Sequence, residues 1–161
     1  MQNPLFTTCN GEKIGLAEIV GEVEKFIAAD PNRSYKLFVG TDSEKNGGGA
    51  TEFVTAIVIY RVGNGGRYFW RRMEIGPFYT LRDRIIQEVM FSLEAGKDLL
   101  KALERSASPG EFRVEIHADI GENGETRTMI QEVIGMIRAY NFEPKTKPES
   151  YAASSVADRH A

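Results

Sequence analysis

Residues 15–29 (GLAEIVGEVEKFIAA) place Leu16, Ile19, Val20, Val23, Phe26 and Ile27 at helical spacing, and Asp30-Pro31 ends the run. Tyr35–Val39 is a short apolar run that reads as a strand, and the small polar residues Gly40-Thr41-Asp42-Ser43 follow it. This reading puts Asp42 at the strand's C-terminal end. Thr51–Tyr60 (TEFVTAIVIY) is β-branched, aromatic and apolar on both faces after Thr55, the pattern of a buried central strand. A turn at Val62-Gly63-Asn64-Gly65-Gly66 leads into Arg67–Ile75, so these two strands are expected to form a hairpin. Leu81–Leu103 is the longest helical pattern, and Ser108-Pro109-Gly110 follows it. Phe112–Ala118 (FRVEIHA) alternates as a strand and delivers Asp119 at its end. Thr126–Tyr140 repeats at helical spacing, Phe142–Lys147 reads as a short strand, and Tyr151–Arg159 as a short terminal helix.

Three successive strands followed by βα units predict an α/β fold, a mixed sheet with helices on both faces. Composition fits one globular domain: 161 residues, 42% apolar and 27% charged, with a net charge of −3. That balance excludes disorder for most of the chain and gives no strongly basic nucleic-acid surface. The longest apolar stretches, such as Val54–Tyr60, fall far short of the roughly 20 residues of a membrane span. The N-terminal MQNPLFTTCNGEK has neither the basic region nor the apolar run of a signal peptide, so a cytoplasmic location is expected. Cys9 is the single cysteine, with no partner for an internal disulfide.

The candidate chemistry is acidic. Asp42 and Asp119 end two strands, and in an open α/β sheet ligands gather at such carboxyl ends. If the two strands are parallel neighbours, the carboxylates emerge a few ångströms apart, a repulsion that a divalent cation resolves. Taken singly, each Asp reads equally well as a turn cap. On the long helix, about 100° per residue turns Asp83 and Glu94 well away from the apolar stripe. Glu88 falls roughly 90° from the stripe's centre, at the border of the buried face. It is the helix carboxylate that reaches toward Asp42, unless it merely pairs with Arg84 one turn earlier. His117 is expected to be a buried, hydrogen-bonded residue outside this chemistry.

Four pieces together, VGTDS (Val39–Ser43), QEV around Glu88, HADIG (His117–Gly121) and KP…AASSVAD (Lys147–Asp158), resemble the ribonuclease H-like superfamily. Within it, the resemblance is to the small YkuK-type branch. It spans about Tyr35 to the C-terminus. It implies a five-stranded mixed sheet flanked by helices, with residues 1–34 a helical extension and 35–161 the core of a single domain. It also implies a carboxylate set of Asp42, Glu88, Asp119 and Asp158, each at a position where that superfamily carries an acid. The superfamily's usual His before the final helix is missing; Lys145 and Lys147 occupy that loop.

The resemblance further implies two Mg²⁺ or Mn²⁺ ions, bridged by Asp42. Asp158 would complete the water-activating ion, while Glu88 and Asp119 hold the ion at the leaving 3′-oxygen. Hard oxygen donors suit these ions and do not suit structural zinc. The implied reaction is phosphodiester hydrolysis giving 5′-phosphate and 3′-hydroxyl ends. Nucleic acid is the implied partner, with no membrane partner. Arg71, Arg72, Lys145 and Lys147 are candidate phosphate contacts, although the Arg67–Arg72 stripe reads equally as a solvated strand face with aromatics turned to the helices. The alternative function is a non-catalytic module of the same fold that binds nucleic acid or protein; a purely structural role for the acids is the third reading.

Overall fold

The computed structural model describes residues 5–106, 112–150, 157 and 160. The chain opens with two very short strands, β1 (Phe6–Thr7) and β2 (Lys13–Ile14), before helix α1 (Leu16–Ala28). Strands β3 (Tyr35–Lys45), β4 (Thr51–Arg61) and β5 (Gly66–Ile75) form an antiparallel meander, followed by helix α2 (Leu81–Glu104). Strand β6 (Val114–His117), a 3-10 turn over Glu125–Met129, helix α3 (Ile130–Ala139) and β7 (Glu143–Lys145) complete the order.

Among the described residues, seven strands make one sheet in the order β2-β1-β5-β4-β3-β6-β7. The expected count of five is therefore too low. The N-terminal extension carries the β1–β2 hairpin as well as a helix, and β1 adds to the edge of β5 through Thr7 opposite Trp70. Strands of two residues are too short to show a period, which is why they escape a pattern search. The β4–β5 hairpin closes on Gly63 and Gly65 at φ 78° and 81°, a region that glycine enters without a Cβ penalty.

The pleat sorts the sheet's side chains onto two faces. Leu37, Val39, Ile57, Ile59, Phe69, Val114 and Ile116 meet the buried sides of α1, α2 and α3 in the larger core. Phe38, Val54, Ala56 and Val58 turn the other way and pack with Ala157, flanked by Tyr60, Tyr68 and Trp70. The described helices thus pack on one face, while Ala157 and His160 pack on the other. The terminal helix expected over Tyr151–Arg159 lies outside the described residues, apart from Ala157.

Candidate functional site

The decisive geometry is a difference in strand length. β3 pairs in parallel with β6 from Leu37–Val114 to Gly40–His117, and there the chain parts from β3 while staying bonded to the β7 side through Ala118 N–H to the Lys145 carbonyl. β3 continues to Lys45, still paired with β4. Asp42 therefore does not end its strand, as expected from the sequence; it sits inside it, two residues beyond the last β6 pair. Asp119 is likewise two residues beyond His117. The two aspartates stand level, beside a notch where β3 has lost its parallel neighbour.

Glu88 enters that notch from α2. It is 8% exposed, and Ser43 donates a hydrogen bond to its Oε2. Burial pushes the Glu88 carboxyl up to about 8; the Ser43 hydroxyl pulls it back, while Asp42 and Asp119 raise it further by repulsion. Arg84 acts in the opposite direction through its charge, but makes no ion pair with Glu88. Glu88 thus lies within the fields of both aspartates, which makes the three acids one electrostatic unit.

The same region supplies a cation. Lys147 Nζ lies 3.3 Å from Asp119 Oδ1. Its backbone is held by a 2.7 Å hydrogen bond from Lys147 N–H to the Ile120 carbonyl. A Cβ on Gly121 would stand 2.9 Å from Lys147 Cβ, so the glycine after Asp119-Ile120 lets the two segments approach. Among the described residues, no three Asp, Glu, His or Cys side chains are gathered closely enough to hold an ion. Carboxylate oxygens are hard donors, the kind that suit Mg²⁺ or Mn²⁺ rather than a structural zinc.

The remaining candidates divide by face. Arg72 pairs across the sheet with Val54, and Val54 with Asp42, so the three form one row on the face away from the helices. Two strand spacings of about 4.8 Å separate its ends. Arg72 bonds to Glu52 and to the backbone carbonyl of His160, whose ring stacks on Trp70 at 4.4 Å. Arg71 points the other way, 8% exposed and 5.1 Å over the Phe6 ring. It is not brought to the carboxylates. Lys145 Nζ lies 3.7 Å from Glu149, one strand out from His117. His117 is 4% exposed, stacked on Phe38, with Nε2 3.0 Å from Glu115. Asp158 lies outside the described residues. Ser43 was missed by the sequence reading, although its place two residues from Thr41 on a strand marks it as facing the same side.

A family profile described as Ribonuclease H-like matches residues 18–161. The chain belongs to the ribonuclease H-like family. It is also 30% identical over 165 residues to the uncharacterized protein YkuK of Bacillus subtilis (strain 168), covering 96% of this chain and 95% of that one. No solved structure gives a significant match. In this family member, none of the described helices is long and apolar enough to cross a membrane.

Proposed function

We propose that this ribonuclease H-like chain is a metal-dependent nuclease, a single cytoplasmic domain that hydrolyses phosphodiesters to 5′-phosphate and 3′-hydroxyl ends. The observation that carries the reading is the notch: Asp42 on β3 and Asp119 just past the end of its parallel neighbour β6 each stand two residues beyond the last β3–β6 pair, with buried Glu88 in the field of both. Three acids so placed repel one another, and a pair of Mg²⁺ or Mn²⁺ ions relieves that repulsion. When bound, such ions supply Lewis acidity and a nucleophilic water at neutral pH. Asp42, Glu88, Asp119 and Asp158 are the proposed ligands. Lys147 screens Asp119, and Arg72, in the Asp42 row and bonded to Glu52 and the His160 carbonyl, is the arginine proposed to meet a substrate phosphate. Lys145 sits farther along the same edge, and Arg71 contributes only through the fold.

The second reading, a non-catalytic module binding nucleic acid or protein, draws on Lys147. Its ammonium takes up Asp119, so the described acids do not by themselves gather around one point. Cleavage separates the readings. Single-stranded RNA and DNA, a hybrid duplex and a four-way junction are incubated with Mn²⁺ and either wild type or Asp42→Asn. Cleavage of a substrate by wild type, lost in Asp42→Asn, is the expected result. No cleavage of any substrate by wild-type protein that binds Mn²⁺ favours the module.

A further inference from the structure

Between α2 and β3 runs a line of polar contacts in a place where helix and sheet usually meet through apolar groups. Thr41 and Ser43 lie two residues apart on the helix-facing side of β3. Ser92 and Glu88 lie four residues apart on the sheet-facing side of α2. Thr41 Oγ1 is 2.7 Å from Ser92 Oγ and 2.9 Å from Thr55 Oγ1, and Ser43 donates to Glu88. Thr41, Thr55 and Ser92 are at most 2% exposed. The spacings match: four helical residues rise about 6 Å, and two strand residues about 6.6 Å. One turn further, Gly96 brings the helix close to the sheet. A Cβ there would stand 3.1 Å from both Ile116 Cδ1 and Phe142 Cζ. Positions 88, 92 and 96 therefore form three successive rungs of one helix–sheet contact.

We infer that Ser43 is a positioning residue for the metal ligand Glu88, and that the Thr41–Ser92 rung sets the register in which Ser43 does this. The inference rests on the metal-site reading above. An apolar interface tolerates small slides of a helix, because dispersion contacts are not directional. Paired hydroxyls are directional, and a slide would leave buried groups unpaired. The Thr41–Ser92 bond fixes α2 along β3, and Ser43 then fixes the Glu88 carboxylate at the level of Asp42. Hydroxyls that orient ligating carboxylates typically alter metal affinity by 10- to 100-fold when removed.

The test is Mn²⁺ calorimetry on the full chain for wild type, Ser43→Ala and Ser43→Thr, with thermal melts of the metal-free proteins alongside. Ser43 is only half-buried, so Ser43→Ala keeps the fold. The expected result is Mn²⁺ affinity about 10-fold or more weaker in Ser43→Ala, restored in Ser43→Thr, at nearly unchanged melting temperature. Wild-type affinity in Ser43→Ala overturns this inference while leaving the metal site standing. So does Ser43→Thr binding as weakly as Ser43→Ala. Failure of wild type itself to bind Mn²⁺ overturns the metal-site reading, and this inference with it.

Discussion

The two faces of the sheet carry unequal shares of the core. On the helix side, Leu37, Val39, Ile57, Ile59 and Ile116 meet α1, α2 and α3 in a continuous apolar core. On the other side, a small cluster of Phe38, Val54, Ala56, Val58 and Ala157 is ringed by Tyr60, Tyr68 and Trp70. The two sides come together at the β3 notch. There Asp42 belongs to the smaller face, and Ser43 with Glu88 belongs to the helix face. A strand that outlasts its parallel neighbour is what lets residues of opposite pleat share one site.

The largest effect should come from the helix side. Leu99 is fully buried there, and Leu99→Ala should cost about 2–5 kcal/mol in urea unfolding. Arg72 and Asp42 lie on the other face, so the nucleic-acid binding we propose should survive in whatever fraction stays folded. Loss of binding by well-folded Leu99→Ala protein would break the division of labour between the faces.

Next comes Glu88, whose carboxyl stands at about 8 in the folded protein against an ordinary value of 4.5. Below pH 4.5 the group is protonated in both states. From there to about pH 8 only the unfolded chain has lost the proton, so the metal-free protein should lose stability as pH rises, and the loss should be complete above pH 8. Glu88→Gln should remove this slope and stabilise the metal-free protein at pH 8 by an amount on the order of a few kcal/mol. Urea melts in EDTA at pH 5 and pH 8 provide the check. A wild-type slope that persists in Glu88→Gln would place its origin elsewhere.

The smallest effect belongs to the opposite face. Trp70 stacks on His160 at an interplanar angle of 10° and lies beneath Arg72. Trp70→Ala should cost about 1–2 kcal/mol, less than the core substitution. A cost as large as that of Leu99→Ala would mean that the aromatic cluster carries as much of the fold as the helix side.

Much of this architecture is legible in the residues. The periodicity of Leu16–Ile27, the β-branched run of Thr51–Tyr60 and the glycine turn at Gly63–Gly66 predict α1, β4 and the hairpin as they stand. The parallel pairing of β3 with β6, the condition on which Asp42 and Asp119 come to one edge, was also readable, because it needs only the helical crossover between them. The extent of β3 was not. Gly40-Thr41-Asp42-Ser43 looks like a turn because the Thr41 and Ser43 hydroxyls find Ser92 and Glu88 only once α2 is packed on top. The polar rungs of α2 were legible only in part: Glu88 stands at the border of the apolar stripe as expected, while Ser92 and Gly96 join it on the buried face beside Ile85, Val89, Leu93, Leu99 and Leu103. Arg71 and Arg72 are both candidate phosphate contacts in the sequence, yet the pleat sends adjacent residues to opposite faces, and only Arg72 shares a row with Asp42.

The central claim is that Asp42, Glu88 and Asp119 hold a divalent cation together. Calorimetric titration of Mn²⁺ into wild type, Asp42→Asn and Asp119→Asn at pH 7.0, roughly neutral, tests it most directly. Binding by wild type and a large loss in both variants, each still folded by circular dichroism, is the expected result. Equal binding by all three proteins, or none by wild type, would contradict it.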